Sequence, residues 1–465
     1  MNQERDYDVV ILGAGASGIS AAIAAAESGS RVVVVERGPL PGGELIGGLS
    51  ILGCSNGAGE WIVKGILSRL LDQVRSLGGY VGFHFDWRTM WGACFDPELM
   101  KVAVIDALRA AGVELRLATL AVGVERGGDS SISALVVHDG RREQRLTGRV
   151  FIDASGDGWL AEHAGAEMEE ADGASGFQPI SMTFRLAGVD FPELLEFIRA
   201  NPDDLIVAEN PFITATKAEA AVHVAESGVP FVAIGSQEPE SRLRRAIDED
   251  RMFPTTAFYM WPTSLQRNEV GLNVTRISRV DGADMQAVSR ALPTLTDQVL
   301  KARSFLVSEI PGFAEASISS IAPRVGVRET KRIVGLVELT TDDVLTARKR
   351  DDGVARGSHH IDIHGEGSFQ LRRYIPDGGS YDIPMGSLIP GGLDNLVVAG
   401  RCIAASREAS GSARVIGSCI ATGEAAGVMA ALAIRTAVND VRLLPVGEVR
   451  SQLKSRGALV EAEVA

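Results

Sequence analysis

A glycine-rich turn near the N-terminus constrains this chain more than any other feature of its sequence. Residues 8–12 (DVVIL) form a short apolar run, residues 13–18 (GAGASG) supply a G-x-G-x-x-G pattern, and an alanine-rich stretch follows. Residues 31–36 (RVVVVE) form a second β-branched run that ends in an acid. This order predicts a strand, a tight turn, a helix and a second, parallel strand, which together are typical of a dinucleotide-binding βαβ unit.

Each position of this pattern has a physical role. Gly13 permits the tight turn, Gly15 lets the backbone approach a pyrophosphate, and Gly18 lets the helix pack closely against the strand. The helix N-terminus offers free N–H groups to the phosphates. Glu36 follows Gly18 by 18 positions, close to the spacing of about 20 at which an acid accepts hydrogen bonds from a ribose. The alternative is a generic βαβ unit that binds no nucleotide.

Composition and charge limit the classes of partner that the protein can bind and indicate the cellular compartment in which it works. The chain has 60 acidic residues against 46 Lys and Arg, a net charge of −14, which repels nucleic-acid backbones and anionic membranes. We therefore expect neither nucleic acid nor a membrane as a partner. The four cysteines form no CxxC pair, so no metal site is predicted, and scattered thiols favour a reducing, cytoplasmic location. Acids at the N-terminus are atypical of a secretory signal.

Further segments make the chain similar to a known family. Residues 38–48 (GPLPGGELIGG) form a second glycine-rich loop, and residues 150–158 (VFIDASGDG) read as a strand followed by Gly-Asp. Residues 396–402 (LVVAGRC) read as a strand and turn, residues 406–427 lead into a long helix, and residues 324–335 (RVGVRETKRIVG) add a charged signature. The chain thus resembles FAD-dependent oxidoreductases with two dinucleotide-binding domains, relatives of fumarate-reductase-type flavoproteins and of the flavin-binding part of heterodisulfide reductase.

The resemblance implies an α/β fold, with a Rossmann-like FAD-binding domain and an inserted α+β substrate domain. We expect the FAD-binding domain at residues 1–172 and 385–438, the substrate domain at 173–384, and a tail at 439–465. The flavin-binding part of heterodisulfide reductase carries added iron–sulfur motifs that this chain lacks, so that activity does not carry over.

The resemblance also implies the cofactor and its contacts. The backbone near Ala121 would meet the adenine, Asp157 would meet ribose or ribityl hydroxyls, and free N–H groups near Gly417 would face the flavin. The full predicted set of FAD-binding residues is Gly13, Gly15, Ala16, Ser17, Gly18, Glu36, Arg37, Gly42, Gly43, Ala121, Asp157, Gly400, Arg401, Val415 and Ile416.

Two charged clusters are candidates for the chemistry. Arg328 and Glu329 stand in the 324–335 segment, where arginine suits bidentate carboxylate binding and the glutamate would orient it. The alternative is a structural ion-pair network between the two domains. In a strand, His360, Asp362 and His364 would share one face, which favours proton transfer with His360 ahead of His364. The alternative is that these histidines are buried and hydrogen-bonded to the backbone. A metal site is not predicted here, because two histidines and one aspartate in alternation lack a further coordinating partner.

Two single residues complete the catalytic candidates. Tyr381 precedes the return to the FAD-binding domain and would bond substrate or serve as an interface aromatic. Arg414 matches, by resemblance, the arginine near flavin and substrate in fumarate-reductase-type proteins. The residues that follow it, Val-Ile-Gly-Ser, depart from the Gly-Gly-Asn-Ser-like run of those enzymes, so their substrate is not implied.

The leading hypothesis is an FAD-dependent oxidoreductase that moves a hydride between a small polar substrate and flavin N5, by dehydrogenation or its reverse. The Arg-rich segments favour a substrate that bears a carboxylate, and a homodimer is the expected oligomeric state. One alternative is an NAD(P)H-dependent flavin monooxygenase, whose halogenase form carries a Trp-x-Trp-x-Ile-Pro motif that this chain lacks. Another is an FAD-binding electron-relay subunit. The negative charge disfavours an RNA-modifying flavoprotein.

Overall fold

The computed structural model describes residues 6–171 and 176–460 of the chain. The helices are α1 (Ala16–Glu27), α2 (Ile66–Ser76), α3 (Pro97–Ala110), α4 (Trp159–His163), α5 (Phe191–Ala200), α6 (Lys217–Glu226), α7 (Arg242–Asp248), α8 (Met285–Glu309), α9 (Thr341–Leu345), α10 (Arg407–Ala413), α11 (Ile416–Thr436) and α12 (Val446–Ser455).

The strands are β1 (Val9–Leu12), β2 (Val32–Val35), β3 (Tyr80–Phe85), β4 (Trp91–Phe95), β5 (Glu114–Arg116), β6 (Leu120–Arg126), β7 (Ile132–His138), β8 (Glu143–Thr147), β9 (Val150–Asp153), β10 (Met168–Glu169), β11 (Phe184–Ala187), β12 (Val232–Gly235), β13 (Ala257–Ser264), β14 (Glu269–Asn273), β15 (Ser317–Ile321), β16 (Arg332–Ile333), β17 (Gly353–Gly357), β18 (Ile361–His364), β19 (Gln370–Arg373), β20 (Tyr381–Pro384) and β21 (Leu396–Val398).

A five-stranded parallel sheet organises the first unit. Its strand order is β21-β9-β1-β2-β5, and every neighbouring pair runs parallel. The strands β1, β2 and β9 are buried along their whole length, which explains their continuous apolar sequences, because parallel strands are covered on both faces. The order places β1 at the centre, so the fingerprint turn lies in the middle of the sheet edge.

Helices α1 and α11 pack unusually closely because small residues line their contact. A Cβ atom on Gly423 would lie 2.2 Å from the carbonyl oxygen of Ser17, and one on Gly427 would lie 2.2 Å from that of Ala21. The α11 helix is long and apolar enough to cross a membrane, but 89% of its most apolar window is buried inside the protein. It therefore serves as a core helix here.

The second unit is an antiparallel sheet with its own core. The strand order is β12-β13-β14-β11-β15, and residues of α5, α6 and α8 join the strands in one hydrophobic cluster that runs from Ile180 to Ala316 along the chain. Ion pairs tie this unit to the first, since Arg185 on β11 lies 2.6 Å from Glu98 on α3, and Arg267 lies 2.8 Å from Asp96. The predicted α/β fold with an inserted α+β unit is confirmed.

The two hydrophobic cores divide the chain differently from the predicted bounds. The first core already includes Ile333, Leu339, Ile361 and Ile383, whereas the prediction placed the return to the first unit at residue 385. The segment 333–384 packs against the parallel sheet unit because its buried side chains complete that core. The other predicted boundary, at residue 172, falls outside the described residues, as do residues 1–5 and 461–465.

Candidate functional site

A deep cleft opens at the carboxyl ends of strands β1, β2 and β9. Its cavity volume is about 440 Å³, and its walls come from the loops after these strands, the second unit and the N-terminus of α11. In open parallel sheets, ligands bind in the crevice beyond the carboxyl ends of the strands. The cleft therefore occupies the position that the topology itself favours for a ligand.

The three glycines of the fingerprint have different surroundings. Gly13 has a φ of +96°, and a Cβ there would lie 2.4 Å from the carbonyl oxygen of Ala154. A Cβ on Gly18 would lie 1.9 Å from the Gly13 carbonyl oxygen, whereas one on Gly15 would meet nothing within 4 Å. Gly13 and Gly18 thus allow tight backbone contacts, while Gly15 borders open space in the cleft.

The turn before α1 presents unused hydrogen-bond donors. The N–H groups of Ala16 and Ser17 have no acceptor among the described residues, because the first internal bond of the helix is donated by Ile19 to Gly15 at 3.0 Å. Both residues line the cleft. Free donors at a helix N-terminus, backed by the helix dipole, form an anion site that suits a phosphate.

Glu36 holds the neighbouring loops in place. Its Oε2 accepts a hydrogen bond from the Ala14 N–H at 2.8 Å, and its Oε1 accepts one from the Gly38 N–H at 2.7 Å. Each carboxylate oxygen can accept a second bond, so these contacts orient the side chain without using its whole capacity. Arg37 beside it lines the cleft, with its guanidinium 3.9 Å from Asp157.

The second glycine-rich loop packs directly on the first. Gly42 has a φ of +121° and donates its N–H to the Ala14 carbonyl oxygen at 2.6 Å. A Cβ on Gly43 would lie 2.9 Å from the Cα of Gly15. Gly43 and Ala121 line the cleft, whereas Gly42 does not. The two loops therefore form one wall around the free donors.

Arg401 fastens the loop after β9 to the second unit. Its guanidinium lies 2.5 Å from Asp157, and it donates to the carbonyl oxygens of Gly156 at 2.8 Å and Val327 at 2.5 Å. Asp157 and Arg401 both line the cleft. Gly400 lies behind them, where a Cβ would be 2.6 Å from Ser17 Oγ, so it allows close packing against α1.

The N-terminus of α11 borders the opposite end of the cleft. Val415 and Ile416 line it. The N–H of Gly417 itself donates to the Leu52 carbonyl oxygen at 3.1 Å. The N–H groups of Ile416 and Ser418 have no acceptor within the described part of the chain. Ile416 lines the cleft and Ser418 does not, so the Ile416 N–H is the donor that this helix end can offer to a ligand.

Asp362 and His364 form a hydrogen-bonded pair in the cleft wall. They alternate along β18, and His364 Nε2 lies 2.9 Å from Asp362 Oδ2. Burial favours the neutral form of Asp362, but its hydrogen-bonded contact with His364 and the charge of Arg372 hold its pKa well below the usual value. Burial lowers the pKa of His364 to about 3, although Asp362 opposes this shift. His364 is therefore neutral at physiological pH.

His359, which the sequence analysis did not select, also lines the cleft. Its Nδ1 lies 2.6 Å from the His360 carbonyl oxygen, and since a carbonyl only accepts, Nδ1 carries the proton and Nε2 the lone pair. Burial lowers the pKa of His359 to about 4. The two adjacent histidines in the sequence were the signal that could have identified His359. The side-chain alternation expected of a strand favoured His360 instead.

His360 lies outside the cleft, in a smaller cavity beside it. The strand β18 begins at Ile361, so strand alternation does not extend to His360, and its ring stacks on His359 with centroids 4.3 Å apart. Burial holds the pKa of His360 well below its usual value. The structure thus brings His359, Asp362 and His364 together, with His360 behind them.

Two arginines add positive charge to the same wall. Arg328 donates to the Pro179 carbonyl oxygen at 2.5 Å and to Ser181 Oγ at 2.6 Å. Burial lowers its pKa to about 9, which leaves it charged at neutral pH. Arg414 donates to the Asp362 carbonyl oxygen at 3.1 Å, and its buried Nε has no hydrogen-bond partner among the described residues. Both side chains line the cleft.

Glu329 and Tyr381 stand behind the cleft wall. Glu329 is 4% exposed and accepts two hydrogen bonds from Arg407, at 2.8 and 3.2 Å. Tyr381 is fully buried and bonds Ser412 Oγ at 2.7 Å, and that serine donates to the His359 carbonyl oxygen. Glu329 thus belongs to an ion-pair network, and Tyr381 supports the backbone that carries His359.

The cysteines and the acidic groups form no metal centre in the part of the chain that the structure describes. No group of three or more His, Cys, Asp or Glu side chains there is placed to hold a metal ion. Cys419 lines the cleft, and burial raises the pKa of its thiol to about 12. A thiol with so high a pKa is a poor nucleophile at neutral pH.

The comparison of the sequence with known families agrees with this geometry. The sequence model of the family described as FAD dependent oxidoreductase matches residues 8–453. Among solved structures, a geranylgeranyl bacteriochlorophyll reductase-like protein from Thermoplasma acidophilum is 12% identical, with a TM-score of 0.48 over 97% of this chain and 83% of its own. The myxobacterial chondrochloren halogenase CndH is 13% identical, with a TM-score of 0.46 over 97% and 79%.

Proposed function

Because this chain belongs to the FAD-dependent oxidoreductase family, we propose that it moves a hydride between a small polar organic substrate and N5 of the flavin, by dehydrogenation or its reverse. The observation that carries the proposal is the continuity of the cleft. One end offers the free N–H groups before α1, and the other end offers His359, the Asp362–His364 pair and Arg414. A dinucleotide and a substrate would therefore share one cavity.

The residues present fit FAD. Gly15 leaves a cradle that a Cβ would enter, so the pyrophosphate would lie there against the N–H groups of Ala16 and Ser17. Glu36 would hold the ribose hydroxyls, and the backbone near Ala121 would hold the adenine. The N–H group of Ile416, which lines the cleft at the positive end of the α11 dipole, would stabilise negative charge at the flavin end. When bound, FAD supplies a two-electron hydride acceptor or donor.

The protein must also manage a proton. Dehydrogenation removes a hydride and a proton, and we assign the proton to Nε2 of His359, whose tautomer is fixed by the Nδ1 hydrogen bond to the His360 carbonyl oxygen at 2.6 Å. The ionised Asp362 lies close enough to favour the protonated ring electrostatically. Tyr381 and Ser412 hold the backbone of His359 from behind and are positioning residues.

Arg328 and Arg414 would bind the polar end of the substrate. Their charges lie in a buried wall, where Coulomb interactions are stronger than in water. Arg414 Nε has no hydrogen-bond partner among the residues described, so it can donate to a substrate oxygen at no cost to an existing contact. His364 stays neutral and, paired with Asp362, would orient the substrate. We place the reaction in the cytoplasm, on the evidence of the free thiols alone.

The test is an anaerobic titration of the purified flavoprotein followed by visible absorption. We expect NADH and NADPH to leave the oxidised flavin band unchanged, and an oxidisable substrate found by screening to bleach it. Bleaching by NADH or NADPH without substrate would instead favour a monooxygenase or a reductase fed by that donor. A partner protein that copurifies and exchanges electrons with the flavin would favour a relay function within a complex.

A pair of variants tests the assigned proton acceptor. His359→Asn should retain FAD and slow flavin reduction by about a hundredfold or more, as expected for loss of general base catalysis. Arg290→Gln, on the exposed surface of α8, is the control and should react like wild type. A His359→Asn variant with full FAD and an unchanged reduction rate would remove His359 from the mechanism and leave the hydride transfer itself untouched.

A further inference from the structure

A side chamber beside the cleft contains polar groups that the proposed mechanism does not use. Its volume is about 140 Å³, and it shares Arg328, His359 and Asp362 with the cleft wall. The remaining wall comes from strands β13 and β14 of the second unit, the β18–β19 hairpin and the turn that carries Arg88. A substrate in the cleft could therefore extend one of its groups into this chamber.

Buried polar nitrogens in the chamber wall lack partners, and in the neutral ring of His360 one of the two nitrogens is a donor. Among the described residues, none bonds to Nη2 of Arg88, Nε of Arg276 or either ring nitrogen of His360. Arg88 is 4% exposed and His360 is 5% exposed. Buried polar groups in folded proteins are nearly always hydrogen-bonded, and each exception requires an explanation. Three such side chains around one cavity point to a ligand group that accepts hydrogen bonds there.

The hydroxyl groups in the same wall cannot serve as donors, because each already donates to the protein. Their acceptors are Asp86 Oδ2 for Thr89 at 3.0 Å and for Tyr259 at 3.4 Å, the Val274 carbonyl for Thr255 at 3.3 Å, the Ser368 carbonyl for Thr256 at 3.1 Å, and the Met182 carbonyl for Thr275 at 2.9 Å. The buried donors without a partner therefore belong to two guanidinium groups and one imidazole. Such a set favours an oxyanion over a neutral ligand.

The charges around the chamber do not balance. Four guanidinium groups line it, those of Arg88, Arg276, Arg328 and Arg372. Three carboxylates lie against them: Asp362 in the wall, Glu209 in ion pairs with Arg88 and Arg372, and Asp86 close to Arg372. A fourth, Glu44, lies near Arg328, but Arg324 neutralises it in an ion pair at 3.2 Å. One positive charge remains. Buried charges are normally paired, so a ligand with a single negative charge would complete the site.

We propose that the side chamber binds one carboxylate of the substrate, which makes the substrate a carboxylic acid that is oxidised or reduced at a carbon beyond the carboxylate. This inference rests on the proposed function and names its substrate class. Two carboxylate oxygens can accept the bonds that Arg88, Arg276 and His360 offer, and their single charge matches the excess. The rest of the molecule would then lie in the cleft beside His359.

Small probes test this binding without knowledge of the substrate. The flavin-loaded protein is titrated with propionate, with the neutral isostere propionamide and with inorganic phosphate, by calorimetry and by perturbation of the flavin spectrum. We expect propionate to bind at least about tenfold more tightly than propionamide, since hydrogen bonds to a charged group are the stronger ones. Phosphate should bind more weakly than propionate, because the chamber offers few donors for its additional oxygens.

Two variants on different elements locate the site. Arg276→Gln and His360→Asn should each weaken propionate binding by about tenfold while the flavin content stays that of wild type, and Arg290→Gln should bind propionate normally. Equal binding of propionamide, tighter binding of phosphate, or unchanged propionate binding in both variants would each overturn the inference. A protein that binds no flavin would overturn the proposed function instead, and the calorimetric comparison of propionate with propionamide would still decide the chamber's ligand.

Discussion

Glu424 is a carboxyl group buried within helix α11, and its environment makes a quantitative prediction possible. Its Oε2 accepts a hydrogen bond from the Ile66 N–H at the start of α2, at 3.2 Å. Its Oε1 has no hydrogen-bond partner among the described residues, although the Arg456 guanidinium lies 3.8 Å away. These contacts do not replace the lost hydration, so burial raises the pKa of Glu424 from 4.5 to about 7.

Because its pKa differs between the folded and unfolded states, Glu424 makes the free energy of unfolding depend on pH. Between pH 4.5 and 7, the folded protein holds a proton that the unfolded chain has released, so stability falls as the pH rises through this window. Across this window the free energy of unfolding falls by 1.36 × (7 − 4.5), about 3 kcal/mol. Glu424→Gln never ionises and keeps an oxygen for the Ile66 N–H. The variant should therefore be the more stable protein above pH 7.

Urea unfolding followed by circular dichroism, at about pH 5 and about pH 8, measures the effect. The gain in unfolding free energy from Glu424→Gln should be about 2–3 kcal/mol larger at the higher pH than at the lower. Glu315→Gln, at an exposed position, is the control and should show no such difference. If Glu424→Gln changed stability equally at both pH values, Glu424 would titrate normally in the folded protein and the reasoning from its burial would be refuted.

Three further predictions concern glycines and thiols. Gly15→Val should abolish FAD binding but leave the apoprotein folded, because the new side chain would occupy the open space proposed for the pyrophosphate. The control is Gly391→Val, at a position with equally open surroundings outside the cleft, and this variant should retain FAD. Gly423→Ala should destabilise the protein by roughly 1–3 kcal/mol in thermal or urea unfolding, since its Cβ would overlap the backbone of α1, whereas Gly447→Ala in α12 meets nothing and should not. The four thiols, of which three are buried, should react with a disulfide reagent only after denaturation; rapid reaction of the native protein would contradict their raised pKa values.

Local patterns carried most of the correct predictions. The glycine spacing at 13–18, the β-branched runs on either side and the acid at residue 36 act within a few residues of one another. Their consequences, a tight turn, a close helix and a parallel strand pair, depend on steric rules that hold in any fold. The family and its cofactor followed from the resemblance of further segments, at residues 38–48, 150–158, 324–335 and 396–427. Because β1, β2 and β9 run parallel, the loops that follow their carboxyl ends meet at one edge of the sheet.

Contacts between distant segments decided what the sequence left open. Strand alternation favoured His360, but β18 begins one residue later, so His359 reaches the cleft instead. Glu329 could orient a substrate or join an ion-pair network, and its pairing with Arg407 depends on packing across 78 residues of chain. The Gly417 N–H is used by Leu52, a contact that exists only when α11 meets the 52–53 loop.

The sequence by itself therefore determined the dinucleotide-binding unit, the family and the identity of the cofactor, because these depend on short-range spacing. Only the tertiary structure decided where the second core begins and which histidine faces the cleft. It also assembled the side chamber, whose four arginines come from the turn after β3, the segment that follows β14, the segment between β15 and β16, and β19. These segments are far apart in the sequence, so no local pattern predicts that their arginines meet. The packing of the folded chain brings them together.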